Sequence, residues 1–180
     1  MKHVTTKNLI ISGLLIALSI LLTRIFSQQV PIAGVPASRL SAGSVPIILA
    51  GIVAGPVYGM AVGALADAVG FVMFPSGIYF PPITLTSAMV GLIPGLIVRY
   101  SGKMADWLKT LISIAAVQVV CSMLLQTWFL SILMGKGFEV LFLPRAVVAL
   151  VMIPIFYLLI YPVLLGLKRA RLVPQRLSTK

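Results

Sequence analysis

The sequence predicts an all-α integral membrane protein, a bundle of six transmembrane helices that residues 1–180 form as one domain. Hydrophobic residues make up 60% of the chain and charged residues only 9%, whereas a soluble domain carries about a quarter charged residues. Mean hydropathy is +1.13. Apolar segments of about 20 residues, enough to cross a bilayer, follow one another with short breaks between them.

The first predicted helix, 8–27, begins like a signal peptide but is followed by no small-residue cleavage pattern, so we expect a retained span. Pro31, Gly34 and Pro36 predict a loop over 28–38. Gly55-Pro56 then separates a short second helix, 42–54, from a third, 57–74. The second helix is only about 20 Å long and cannot cross a core of about 30 Å alone. A short, Gly/Pro-interrupted membrane helix indicates a ligand site partway into the bilayer.

Further breaks occur at Pro75-Ser76-Gly77, at Pro81-Pro82 and at Gly135-Lys136-Gly137. They delimit the fourth, fifth and sixth predicted helices, over residues 84–98, 107–134 and 144–167.

Basic residues predict the orientation. Six helices place both termini on one side, and that side collects Lys2, Lys7, Arg99, Lys103, Lys109 and the tail residues Lys168, Arg169, Arg171, Arg176 and Lys180. Positive charge is enriched in cytoplasmic loops, so we expect both termini in the cytoplasm. The same distribution accounts for the formal net charge of +11 without nucleic acid, because the basic residues lie at the ends of apolar segments.

Catalytic and metal-binding sequence patterns are missing. His3 and Cys121 are the only histidine and cysteine, so no Ser-His-Asp set and no cysteine-based metal site is expected. Gly135-Lys136-Gly137 lacks the spacing and the hydroxyl of a phosphate-binding loop. We therefore predict that the chain is not an enzyme, carries no cofactor or metal, and is a binding component of a larger transporter.

Charged residues in the outer half of the bundle suggest where a ligand binds. A charge within the hydrocarbon costs about 2.5–3.5 kcal/mol and usually faces a cavity or a partner. One interpretation is a structural ion pair of Asp67 with Arg24 or Arg39; the other is a polar pocket under the outer loops. Arginines outnumber carboxylates there and bind carboxylates bidentately, which favours an anionic ligand. The charged residues are Arg24, Arg39, Asp67, Lys136, Glu139 and Arg145.

Aromatic residues near the same loops allow two interpretations. Trp128 fits an interfacial belt position, and Tyr79 and Phe80 fit loop packing. Each of them also fits a role in covering a flat ligand.

Several motifs resemble the substrate-binding S components of energy-coupling factor (ECF) vitamin transporters, the folate-specific branch most closely. They are Arg39-Leu-Ser-Ala-Gly-Ser-Val-Pro46, Ala50-Gly51, Gly55-Pro56, Gly63-Ala-Leu-Ala-Asp67, Gly70, Phe74-Pro-Ser-Gly-Ile-Tyr-Phe-Pro81, 125–136 and Pro144-Arg145. Their order and spacing extend the resemblance over nearly the whole chain. The family usually has asparagine where Gln126 stands, and Gln126 keeps the amide.

The resemblance implies six helices in a bacterial cell membrane and high-affinity capture of folate from outside. It implies a complex with a transmembrane coupling subunit and two cytosolic ATPases, which alone use ATP. We expect Arg39 and Arg145, helped by Arg24 or Lys136, to bind the carboxylates of folate. Asp67 would accept hydrogen bonds from the pterin edge, with Tyr79 or Trp128 against its face and Gln126 nearby.

Three alternatives remain open on the sequence. The chain fits an S component for another acidic vitamin such as pantothenate, and less well a membrane enzyme or a scaffold.

Gly13 and Ala17, four residues apart on the first helix, form a small-xxx-small pair that lets another helix approach closely. The resemblance implies that this pair meets the coupling subunit; the alternative is packing against the protein's own helices.

Overall fold

The computed structural model describes residues 6–25, 28–32, 35–40, 42–73, 81–101, 104–134 and 137–169. The described chain is helical except for one β-hairpin and short connections, which confirms a predominantly helical fold. In chain order the elements are α1 (Thr6–Ile25), β1 (Gln28–Ile32), β2 (Val35–Leu40), α2 (Ser44–Ala54), α3 (Pro56–Met73), α4 (Pro81–Tyr100), α5 (Asp106–Ala116), a π-helical segment (Val117–Leu125), α6 (Gln126–Met134) and α7 (Phe138–Arg169).

The segment between α1 and α2 is a hairpin, so the predicted loop over 28–38 is wrong. β1 and β2 pair antiparallel, with Gln28 opposite Leu40 and an irregularity between Val30 and Pro31. Pro31 lies opposite Pro36. Proline cannot donate to a ladder and is confined to edges and bulges, and both strands of a two-stranded sheet are edges. The prolines therefore do not prevent pairing here.

The short helix α2 is the centre of the bundle. Its residues from Val45 to Val53 are all buried, and at 11 residues it is about 16 Å long, which confirms the prediction of a helix too short to cross a bilayer. One face packs in a cluster with α1 and α3 around Leu15 and Val62. The other packs with the fifth helix and α7 around Ile114 and Ile160.

Glycines bring α2, α3 and α4 into backbone contact. Gly55 ends α2 with a φ of +100° and its N–H donates to the Gly51 carbonyl at 3.1 Å. A Cβ on Gly95 would lie 2.5 Å from backbone atoms of Pro56, and one on Gly59 would lie 2.6 Å from the Gly51 Cα. Gly91 lies against the Gly59 backbone, and Gly63 against Ser87. These contacts form a seam between antiparallel α3 and α4.

The fifth predicted helix, 107–134, is one continuous rod of α5, the π segment and α6. Its length and apolar character are as predicted, but the π-helical geometry over Val117–Leu125 is not. The N–H of Gln126, for example, donates to the carbonyl of Cys121, five residues back, and hydrogen bonds of this span define a π-helix.

The last helix, α7, begins at Phe138 and not at 144, and it runs for 32 residues. Pro144 therefore lies inside the helix. Proline is tolerated in membrane helices because neighbouring groups satisfy the freed backbone. The apolar run from Phe138 continues into the predicted helix without a break in helical geometry.

Four helical segments of the described chain are long and apolar enough to cross a membrane: Pro56–Met73, Pro81–Tyr100, Asp106–Ile132 and Leu141–Arg169. Asn8–Thr23 and Ser44–Ala54 are shorter apolar helices. The chain is thus a multi-pass membrane protein.

Candidate functional site

Four of the predicted site residues lie at about the same level along the bundle. We call the end that carries β1 and β2 the hairpin end, and the opposite end the termini end. Asp67 lies six residues before the end of α3 at Met73, and Arg145 seven residues after the start of α7 at Phe138. At 1.5 Å per residue both are about 10 Å from the hairpin end of their helices. Gln126 and Trp128 begin α6, eight and six residues before Met134.

Asp67 is anchored to the neighbouring helix. Thr84 Oγ1, in the first turn of α4, donates to Asp67 Oδ2 at 2.7 Å. The pair continues the glycine seam by one more turn, because Gly63 faces Ser87 one turn below. Asp67 is half-buried. The hydrogen bond from Thr84 holds its carboxylate in one orientation near the hairpin end. A carboxylate with two oxygens can accept further bonds beside the one from Thr84.

Aromatic rings join α6 to α7 between this level and the hairpin end. Trp128 meets Phe138 edge-on, with ring centroids 6.3 Å apart at 60°. Phe138 stacks on Phe142 at 5.4 Å and 27°. Trp128 remains 61% exposed, while Gln126 is half-buried. The Trp128 ring therefore lies on the outer side of the bundle and Gln126 closer to its interior.

Arg145 is buried in α7. The strand β2, which includes Arg39 opposite Gln29, contacts α7. The backbone carrying Arg39 is thus brought over the helix that carries Arg145. The guanidinium group of Arg145 offers a rigid fork of donors suited to a carboxylate.

The other predicted site residues are only partly described. Tyr79 and Lys136 lie outside the described residues, and so do the side chains of Arg24 and Arg39. The alternative of an Asp67 ion pair with either arginine falls on those side chains.

Helix α1 separates a packed face from an exposed one. Ser12, Leu15 and Ser19 are buried, and Ser19 Oγ donates to the Gly43 carbonyl at 2.8 Å. Gly13 and Ala17 lie on the exposed face, where a Cβ added to Gly13 would meet nothing within 4 Å. Within the described chain, Gly13 is therefore not used for packing against the protein's own helices.

At the termini end, an ion pair joins α5 to α7. Lys168 of α7 forms an ion pair with Asp106 at the start of α5. Lys109, one of the basic residues predicted at this end, is completely buried. The charge asymmetry does not depend on it, because the other basic residues of that end remain.

Sequence reasoning missed Thr84 and the aromatic stack. Pro81 and Pro82 begin α4 because proline is favoured in the first turn, and Thr84 follows them. A threonine in the first turn of the helix that follows the one carrying Asp67 is the sequence feature that could have indicated this contact. Phe138 and Phe142 lie four residues apart in the first turns of α7, before residue 144, where the helix was predicted to begin. In the described part of the chain, no group of three His, Cys, Asp or Glu residues could hold a metal ion.

Three comparisons with known proteins agree on the kind of protein. The family described as "ECF-type riboflavin transporter, S component" matches residues 3–169. The folate transporter FolT of Clostridium novyi (strain NT) is 33% identical over 153 residues, which are 85% of this chain and 85% of that protein. A crystal structure of FolT bound with folic acid has a TM-score of 0.73 and 27% identity, over 87% of this chain and 93% of that one.

Proposed function

The chain belongs to the family of S components of ECF-type transporters, and we propose that within it this protein captures folate at the hairpin end of the bundle. The family membership predicted from sequence is thereby confirmed, and so is a transport role in place of an enzymatic one. The observation that carries the proposal is the likeness, over most of both chains, to a folate transporter and to a structure bound with folic acid.

The charges at the hairpin end support folate over a neutral vitamin. Folate has a pterin ring and a glutamate tail with two carboxylates. The outer half of the bundle, as predicted from the sequence, carries three arginines, Arg24, Arg39 and Arg145, and only two carboxylates, Asp67 and Glu139. Arginine matches carboxylates bidentately. Asp67, held by Thr84, presents a carboxylate to the paired donors of the pterin edge. Tyr79 would cover the ring, with Gln126 and Lys136 completing the site. Trp128, the other predicted cover, lies on the outer side of the bundle and contacts Phe138 instead.

A second candidate is riboflavin, which the description of the matching family names; pantothenate is a third. Riboflavin lacks carboxylates, so it would offer the arginines no anionic group to bind. Isothermal titration of ligand-free purified protein with folate, riboflavin and pantothenate separates them. We expect folate to bind roughly a hundredfold or more tighter than either. Mass spectrometry of the co-purified ligand should identify a folate; riboflavin in both measurements would overturn the proposal.

Uptake requires partners that supply energy. We propose that the chain docks a transmembrane coupling subunit carrying two cytosolic ATPases, and that only those ATPases use ATP; this chain needs no cofactor of its own. The exposed pair Gly13 and Ala17 supports α1 as the docking helix, because small residues at this spacing allow close helix approach.

We propose six membrane-embedded helices in a bacterial cell membrane, with both termini cytoplasmic. Lys2, Lys7, Arg99 and Lys103 and the basic tail support this orientation. In a Cys121→Ser background, an impermeant maleimide on intact cells should label S76C and not S178C. The reverse pattern would invert the topology.

Removing an arginine of the proposed site should weaken folate binding without unfolding the protein. A hydrogen bond to a charged group contributes about 1.5–3 kcal/mol, or about ten- to a hundredfold in affinity. We expect a loss of this size for Arg39→Ala and for Arg145→Ala, measured as Kd by titration calorimetry. Arg145→Lys, which keeps the charge but not the fork, should lose affinity as well.

Arg99→Ala is the matched control, because Arg99 is exposed at the termini end of α4. Arg145 is buried, so the melting temperature without ligand is measured for each variant. Unchanged affinity in both Arg39→Ala and Arg145→Ala would remove these residues from the site.

Asp67→Asn should weaken folate binding about ten- to a hundredfold and barely change the stability of the ligand-free protein. The asparagine carbonyl still accepts the bond from Thr84, but the NH₂ group opposes the pterin donors. Thr84→Val, of similar shape, removes the helix-to-helix bond instead. It should lower the melting temperature more than Asp67→Asn does. A large stability loss in Asp67→Asn with little change in Kd would show that Asp67 is a structural residue.

A further inference from the structure

The π segment changes which side of the fifth helix faces the bundle. Up to Cys121, fully buried positions recur every four residues, at Lys109, Ser113, Val117 and Cys121. A continuing α-helix would keep residues three and seven further on at the same face. Those residues, Leu124 and Trp128, are instead 49% and 61% exposed, and the next fully buried residue is Thr127.

The hydrogen bonds explain this change of face. The N–H of Gln126 donates to the carbonyl of Cys121, five residues back, which is the π-helical pattern. In an α-helix the Gln126 N–H would donate to the carbonyl of Ser122. Thr127 Oγ1 donates to that Ser122 carbonyl at 3.3 Å. In an α-helix a threonine hydroxyl bonds the carbonyl three or four residues back, so the five-residue span of the Thr127 bond fits the π register and not the α register.

A second side-chain bond supports the same turn. Ser122 Oγ donates to Gln118 Oε1 at 3.0 Å, and Gln118 is buried in the bundle interior. Buried polar groups in a membrane protein need partners because unsatisfied groups are costly there. Gln118, Ser122 and Thr127 therefore form a polar chain that runs along the π segment toward the proposed site.

We infer that Thr127 is a positioning residue for the ligand site: its bond to Ser122 holds the π register, which turns Gln126 toward the bundle and Trp128 toward Phe138. The inference rests on the proposed function for the ligand, but the register itself is independent of it. If the bond is lost, the fifth helix relaxes toward α geometry. Each π turn holds about one residue more than an α turn, so residues after it rotate by about 100°, which carries Trp128 off the exposed face.

The test compares two threonines of the same helix. Thr127→Val removes the bond that spans five residues; Thr110→Val removes an ordinary α-helical one, in which Thr110 Oγ1 donates to the Asp106 carbonyl at 2.9 Å. Both threonines are almost fully buried, and valine keeps their shape. Thr127→Ser restores the hydroxyl and serves as the rescue variant.

Two readouts are measured in a Trp107→Phe background, which leaves Trp128 as the only tryptophan. In ligand-free protein in nanodiscs, quenching of Trp128 by brominated lipids should fall by about half in Thr127→Val, because the ring leaves the exposed face. Folate affinity should fall about three- to tenfold, the effect of one neutral hydrogen bond. Thr110→Val and Thr127→Ser should resemble the parent in both.

The outcomes separate this inference from the proposed function. Unchanged quenching and unchanged folate affinity in Thr127→Val overturn the inference. Equal effects from Thr127→Val and Thr110→Val also overturn it, since they indicate general destabilisation. If the parent protein binds no folate, the proposed function fails, and the quenching experiment alone still decides whether Thr127 holds the register.

Discussion

Gly13→Trp is expected to abolish ATP-driven folate uptake while leaving folate binding unchanged. Gly13 is on the exposed face of α1, and a Cβ there meets nothing within 4 Å of the protein's own atoms. A tryptophan therefore fits the isolated chain but obstructs a helix that approaches along Gly13 and Ala17. Uptake in vesicles carrying the complete complex should collapse, and the Kd of the purified protein should stay at the parent value.

The matched control is Leu158→Trp. Leu158 is an exposed apolar residue in the middle of α7, so this variant tests whether any bulky ring on a lipid-facing surface impairs uptake. We expect normal uptake. If Gly13→Trp transports folate like the parent, the docking face lies elsewhere; if it loses binding as well, Gly13 has a role in internal packing.

Gly91→Leu is expected to prevent the bundle from forming. A Cβ at Gly91 would overlap the backbone of Gly59, and one at Gly59 would overlap Gly91 and Gly51. Overpacking a core typically costs about 1–3 kcal/mol when side chains can move aside, and here the obstacle is backbone. We therefore expect aggregation in place of a monodisperse peak in size-exclusion chromatography.

Gly91→Ala is expected to lower the melting temperature without preventing folding, because its single methyl group already collides with the backbone of Gly59. A loss of about 3 kcal/mol corresponds to about 6–12 °C in Tm for a chain of this size. Gly166→Ala is the control: it lies on α7 with nothing within 4 Å of the added Cβ, and alanine favours the helix. If Gly91→Ala and Gly166→Ala had the same melting temperature, the result would contradict the close approach of α3 and α4.

The two predictions test different consequences of small residues in a membrane bundle. Gly91 is buried where helix backbones touch, and Gly13 is exposed where a partner backbone is expected. Sequence shows both only as glycines in apolar helices. Burial distinguishes them, because the space around a glycine depends on which helices pack beside it.

The sequence by itself determined the class of protein and the ends of most helices. Composition required a lipid environment, since 9% charged residues cannot cover a soluble surface. Gly55-Pro56 ended the second helix where the structure ends α2, because proline is favoured at the first helical position and glycine after the last. The level of Asp67 near the hairpin end followed from helix length alone, whereas the level of Arg145 did not, because α7 begins at Phe138 and not at 144.

Only the tertiary structure decided how those residues are held. The partner of Asp67 is Thr84, 17 residues away along the chain, and that contact exists because glycines let α3 and α4 touch. The hairpin pairs despite Pro31 and Pro36, and the π segment replaces α geometry between Val117 and Leu125. Local propensity disfavours prolines in a hairpin and does not predict a π segment. The Asp67–Thr84 contact depends on a packing surface that another helix supplies, and the π segment on side-chain hydrogen bonds that helix propensity does not include.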